Sequence, residues 1–300
     1  MINSSSVSNK FQVSIDGSFN LSDHETTWAA PTEAEDLSEK GLKKAAKKFL
    51  KDNLKQLQAA QELLWASNRR SMLLIFQAMD AAGKDSTIKH VMTGINPQGV
   101  NVTSFKQPSK EELEHNFLWR YWNRMPERGQ IGIFNRSYYE EVLVVKVHPE
   151  ILDARPIPYG NRGDEFWQAR YEDINSMERH LCRSGKVILK FFLNVSKAEQ
   201  KERFIDRLSI PEKHWKFTES DVEERLYWDD YMRVFEEAIR ATSTEWAPWH
   251  VIPADNKWKM RGLVSSIITE KILSLDLEFP AVSDEQKARL AEIKEELKKE

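Results

Sequence analysis

Five short apolar runs alternate with longer segments of helical period, and that alternation leaves this chain few folds to adopt. The runs cover residues 72–76, 100–105, 130–134, 186–195 and 249–253. Helices are expected over about 86–93, 110–124, 164–182, 197–208 and 257–274. Strands separated by helices call for a parallel sheet with crossover helices on both faces, because parallel neighbours cannot be joined by a tight hairpin. The expected fold class is α/β, with three layers and a sheet of about five parallel strands.

Upstream, Leu42, Ala45, Ala46, Phe49, Leu50, Leu54, Leu57, Leu63 and Leu64 recur at helical spacing with lysines between them. They predict one long amphipathic helix between Glu35 and Arg70. Residues 1–34, rich in Ser, Thr and Asn, read as an N-terminal arm or irregular strand lying over the surface. Residues 35–280 then form the main domain, interrupted by a Pro-rich loop at 149–158, and 281–300 a charged C-terminal helix.

The formal net charge of −3 means that any affinity for a polyanion must come from clustered Lys and Arg, not from the overall field. This argues against a general nucleic-acid binder, so no nucleic-acid partner is expected. Cys182 is the single cysteine, which removes an internal disulfide framework and a cysteine-based zinc site. No basic start followed by an apolar run opens the chain, and no apolar run approaches the roughly 18–20 residues of a membrane span. The expected setting is the cytoplasm, with no membrane partner.

The segment Gln77-Ala78-Met79-Asp80-Ala81-Ala82-Gly83-Lys84-Asp85-Ser86-Thr87 lies between a strand and a helix, where a phosphate-binding turn belongs. There the backbone N–H groups of Ala81, Ala82 and Gly83 and the helix start can cradle phosphate oxygens. Lys84 would bridge those oxygens, and Asp80 offers a carboxylate to magnesium. Two departures from the usual pattern stand out: Ala78 replaces the first glycine, and Asp85 replaces the hydroxyl residue after the lysine. Ser86 and Thr87 are the candidates to supply that hydroxyl, and Lys89 could extend the anion path by one helical turn.

A second cluster follows the strand at 130–134: Asn135-Arg136-Ser137-Tyr138-Tyr139-Glu140-Glu141. Phosphoryl chemistry needs this mixture, a cation for the transferring group and carboxylates for a metal. Asn135 stands where a second phosphate-site motif usually ends in Asp. Further on, Arg203 and Arg207 lie four apart on a predicted helix, and Lys213 and Lys216 follow in the loop opened by Pro211. Such a basic segment, spanning about 205–220, can close over phosphates as a lid. Lys43, Lys44, Lys47, Lys48 and Lys51 mark a basic side of the first long helix that could edge a channel for a polyanion. The histidines His115, His148, His214 and His250 show no metal-ligand spacing.

These residues alone leave open a nucleoside monophosphate kinase with ATP as donor, or a nucleotide-dependent switch. The guanine-binding signature of such a switch would need an aspartate where Lys259 stands. Taken in order, MDAAGKDSTIK, FLWR at 117–120, IFNRSYYEEVLVVKVH at 133–148 and PEKHWKF at 211–217 resemble the type 2 polyphosphate kinases over about 40–275. The chain is most similar to the subclass that phosphorylates both AMP and ADP, where FNRS followed by paired acids replaces FDRSWYNR. The resemblance implies a P-loop kinase fold and transfer of the terminal phosphoryl of inorganic polyphosphate to AMP and ADP, giving ADP and ATP. It further implies that magnesium, or manganese in its place, is held by Asp80, Glu140 and Glu141, that Lys84 binds phosphate, and that Arg136 contacts the transferring group. A homodimer or homotetramer is also implied.

Overall fold

The structure, a computed structural model, describes residues 4–28, 39–153, 155 and 162–300. Residues 1–3, 29–38, 154 and 156–161, and the side chains of Leu42 and Lys216, lie outside the described part, so expectations placed on them in the N-terminal arm, the start of the long helix and part of the Pro-rich loop are not addressed. Five parallel strands form one sheet: β1 (Ser71–Gln77), β2 (Val100–Ser104), β3 (Ile131–Asn135), β4 (Lys186–Asn194) and β5 (Trp249–Pro253), in the order β2-β3-β1-β4-β5. All seven residues of β1 are buried, as its central place and lack of charge require.

The principal helices are α1 (Ser4–Phe11), α2 (Glu39–Ser67), α3 (Lys84–Val91), α4 (Asp164–Arg183), α5 (Lys197–Leu208), α6 (Trp228–Thr242), α7 (Lys257–Leu273) and α8 (Asp284–Leu297). Lys190 and Phe192 of β4 reach the α4 and α6 layer, where Phe192 meets Phe235 and Lys190 meets Glu178. Phe191, between them, points to the other face and stacks near Phe76 and His250. The sheet is thus covered on both sides, a three-layer α/β/α arrangement.

Three elements differ from the sequence expectation. The helix expected at 110–124 breaks into two single turns, Lys110–Leu113 and Trp119–Trp122, because the Asn116 side chain accepts the Leu118 N–H at 3.0 Å and turns the chain. Helix α6 was not anticipated, although Tyr231, Val234, Phe235, Ala238, Ile239 and Thr242 bury one face at helical spacing. The N-terminal stretch does more than lie over the surface. After α1, the Val13 N–H donates to Trp249 O at 2.9 Å, and Phe11, Val13, Phe19 and Leu21 join the core.

His250 of β5 sits under this N-terminal stretch, 1% exposed, with its Nε2 3.4 Å from Ser8 Oγ. Burial pushes its pKa down from 6.5 to about 4. The folded state therefore keeps His250 neutral where the unfolded chain already takes up a proton, so stability is complete above pH 6.5 and falls as pH drops towards 4. The expected loss over that window is about 3 kcal/mol. Urea unfolding from pH 7 down to pH 5 (~two units) should show a steeper fall for the native chain than for His250→Phe. Parallel curves would remove His250 as the cause.

Candidate active site

Connections leave β1 towards β2 and leave β4 towards β5, so the carboxyl ends of β1 and β4 flank the topological switch point, where ligands bind in open α/β sheets. A crevice of about 820 Å³ opens there, lined by the turn that follows β1. Within this turn Ala81 has φ 59° and Gly83 φ 108°, left-handed conformations that curl the backbone ahead of α3. A Cβ at Gly83 would meet Met260 and Ser86 at 3.4 Å, an ordinary contact, so it is the φ that favours glycine. Gly83 caps α3 without a side-chain bond, which keeps the helix start available to an anion.

Lys84 folds back across the turn, its Nζ donating to Ala78 O at 2.7 Å and Met79 O at 3.3 Å and lying 3.9 Å from Asp80 Oδ1. Burial lowers its pKa, and the Asp80 carboxylate opposes that shift. Asp80 in turn also accepts from Arg136 Nη2 at 2.9 Å. Burial alone would raise the Asp80 carboxyl, but Lys84 and Arg136 outweigh it and hold it below the ordinary value. The result is an ionised, half-buried carboxylate between two cations.

Arg136 follows β3 with φ 64°, its N–H bonded to Phe76 O at 3.1 Å. One end of its guanidinium meets Asp80 and the other lies 3.9 Å from Glu140 Oε2. Gln77 donates to Glu140 Oε1 at 2.8 Å and fixes that carboxylate. Arg136 and Asp80 also line a second cavity of about 420 Å³, walled by Leu143, Val144, Tyr231 and Phe235. Arg136 and two carboxylates, Asp80 and Asp221, thus stand on the boundary between two neighbouring cavities.

The departures at Asp85 in the turn and at Asn135 after β3 answer each other. Asn135 Nδ2 donates to Asp85 Oδ1 at 2.7 Å, so the acid and its neutral partner have exchanged sides relative to the usual pattern. Ser86 lines the crevice, and its Oγ donates to Gly83 O at 3.0 Å.

Several expected site residues are placed elsewhere. Glu141 is buried away from the crevice, accepting from Arg155 Nη1 at 2.5 Å and Arg170 Nη1 at 3.3 Å. Neighbours in the tight helical turn at Tyr138–Glu141 point about 120° apart, so Glu140 and Glu141 cannot face one metal together. Thr87 is fully buried with its Oγ1 against Met260 Sδ, and therefore supplies no hydroxyl to a phosphate. Ala82 is buried, and its N–H is turned inward to Met79 O. Lys89 is exposed on α3 and lies outside the crevice lining. Arg203 spends its guanidinium on the carbonyls of Ala81, Ala82, Ala254 and Asp255, which makes it a clamp on the turn. Arg207, 3.4 Å from Asp221, and Lys213 do line the crevice, and the Pro211–Lys216 segment carries the exposed Trp215 over it.

Among the described residues, eight Lys or Arg against four Asp line the crevice, so a chain of net charge −3 does concentrate its cations locally. Lys106, Lys257 and Arg261 are members that sequence reasoning missed. The last two lie four apart at the start of α7, a spacing that could have revealed them. Among the described residues no three His, Cys, Asp or Glu side chains cluster to hold a metal, and no helix is long and apolar enough to cross a membrane.

The strand order, the Gly83–Lys84 turn at the switch point and the cationic crevice define a P-loop kinase, an enzyme that transfers phosphoryl groups. The sequence profile of the Polyphosphate kinase 2 (PPK2) family matches residues 40–280, and the chain belongs to that family. It is 51% identical over 252 residues to the ADP-polyphosphate phosphotransferase of Rhodopseudomonas palustris, covering 84% of this chain and 87% of that one. It is 43% identical over 271 residues to the AMP/ADP-polyphosphate phosphotransferase of Meiothermus ruber, covering 90% and 95%. The crystal structure of polyphosphate kinase 2 from Arthrobacter aurescens TC1 superposes with a TM-score of 0.85 at 36% identity, over 96% of both chains.

Proposed function

We propose that the protein transfers the terminal phosphoryl group of inorganic polyphosphate to AMP and ADP, forming ADP and ATP. The observation that carries this reading is the pair of adjoining cavities with Asp80 and Arg136 on their shared boundary. The larger, cationic crevice suits a polyphosphate donor. The smaller one has the aromatic and aliphatic wall that a nucleoside needs. A phosphoryl group passing between them would travel past the Arg136 guanidinium. Lys84 and the turn hold the donor end, while Arg207 and Lys213 close over it and exclude water, whose attack would waste the donor. The attacking group is itself an anionic phosphate and needs no strong general base, in keeping with a crevice lined by no histidine among the described residues.

The carboxylate of Asp80, kept ionised and half-exposed, fits magnesium or manganese, which take one or two carboxylates and complete their shell with phosphate oxygens and water. Such an ion supplies charge neutralisation to the phosphates when bound. Glu140 is the second candidate ligand, and Glu141 acts as a positioning residue for the turn through Arg155 and Arg170. The exposed Leu290, Ile293 and Leu297 on α8 support a homodimer or homotetramer. Adenine-nucleotide substrates and a lone cysteine favour the cytoplasm.

The test is product formation with magnesium, long-chain polyphosphate and AMP or ADP, beside ATP plus AMP. ADP and ATP should form from polyphosphate, and Lys84→Ala should slow both roughly 10²–10³-fold. Turnover only with ATP plus AMP would make this an ordinary nucleotide kinase.

A further inference from the structure

The basic side of α2, unused by the site above, approaches the crevice from behind. Gly262 makes this possible: a Cβ there would come within 2.9 Å of the Phe49 ring, so its absence lets α2 lie close on α7. Lys43 and Lys47, one turn apart on α2, are thereby brought to the start of α7. A hollow of about 210 Å³ forms at the junction, lined by Lys43, Asp255, Lys257, Trp258 and Lys259 among others. Lys257 lines both this hollow and the main crevice, so one side chain borders the two.

Among the described residues, three lysines, Lys43, Lys257 and Lys259, line the hollow against one aspartate. Asp255, the hollow's carboxylate, is committed to Thr26 Oγ1 and the Ser196 N–H, each at 2.8 Å. Arg261, buried and lining the crevice, has a Nε without a hydrogen-bond partner among the described residues. Its guanidinium lies 4.7 Å from the Trp258 ring centroid, and Lys47 Nζ lies 4.5 Å from the same centroid. One indole thus gathers a cation of the crevice and a cation of α2. Burial lowers the Lys257 pKa and the neighbouring Arg203 lowers it further, while the Glu199 and Asp206 carboxylates act against that shift.

We infer that this route is a distal subsite for long polyphosphate: the chain leaves the crevice past Arg261 and Lys257, and Lys43, Lys47 and Lys259 hold its non-reacting part. The inference rests on the polyphosphate reading of the main site. Its consequence is selectivity for chain length, since a short donor fills the crevice without reaching α2.

The double variant Lys43→Ala/Lys47→Ala tests it, because both side chains are exposed and distant from the reacting groups. With ADP as acceptor, KM for long-chain polyphosphate should rise about five- to tenfold and its salt dependence should flatten. KM for tripolyphosphate and kcat for both donors should stay unchanged. Equal changes for both donors, or none, would overturn the subsite. So would loss of single-stranded RNA binding in the variant with long-chain KM unaltered, which would make α2 a nucleic-acid surface. No turnover of either donor by the unsubstituted protein would overturn the functional reading and the subsite together.

Discussion

Replacing Arg136 by alanine is expected to lower kcat for phosphoryl transfer roughly 10³–10⁵-fold while leaving the melting temperature nearly unchanged. The guanidinium lies on the boundary of the two cavities, 2.9 Å from Asp80 and 3.9 Å from Glu140, and it is partly exposed. It is therefore placed to meet charge on a group in transit more than charge on either resting substrate, and an interaction of that kind appears in kcat. Both its neighbours are acidic, and Glu140 above all raises its pKa, so the charge is permanent. Arg136→Lys keeps that charge but loses the planar fork, and should recover only part of the rate. Steady-state kinetics with both substrates saturating decides the matter. A rise in KM with kcat preserved would assign Arg136 to substrate binding alone.

The second large effect is on stability. Lys190 and Glu178 form an ion pair that is 0% exposed, 2.6 Å apart, in the middle of the fold. The other two Lys190 protons reach Thr242 O at 2.7 Å and the Tyr139 hydroxyl at 2.9 Å. Glu178 Oε1 accepts from the Tyr138 and Tyr139 hydroxyls at 2.8 and 2.9 Å. Every donor is satisfied, which is the condition for keeping such charges in a core. Lys190→Met leaves Glu178 buried without a counter-charge and should cost about 3–5 kcal/mol. Thermal unfolding should then shift down by roughly 5–8 °C. Adding Glu178→Gln removes the orphan charge and keeps an acceptor for both tyrosines, so the double variant should regain more than half of the loss. No recovery would mean that packing, not charge, holds the site. Because Tyr138 and Tyr139 follow Arg136 within three residues, this pair also anchors the turn that carries it.

The parts of this protein that local chain order controls were legible before any fold was known. A strand, a turn rich in small residues and a helix start are consecutive, so the turn from Asp80 to Lys84 is a candidate phosphate site by its context in the chain, although its spacing departs from the usual pattern at Ala78 and Asp85. The five parallel strands follow from the same alternation, and the four motifs shared with the family point to the activity. What escaped depends on which side of an element meets which neighbour. Glu140 and Glu141 are adjacent in sequence, yet one faces a cavity and the other an arginine pair in the core. Arg203 reads as a lid cation but is turned onto four backbone carbonyls, because α5 packs directly against the phosphate turn. Lys190 looked like an ordinary strand residue, and its partner lies on a helix that only packing brings to the sheet. Arg261 and Lys257 enter the crevice because β5 lies beside β4 and delivers α7 there. Spacing along the chain reports residues that share one turn of one element; contacts between elements are set by burial and strand order, which no local pattern encodes.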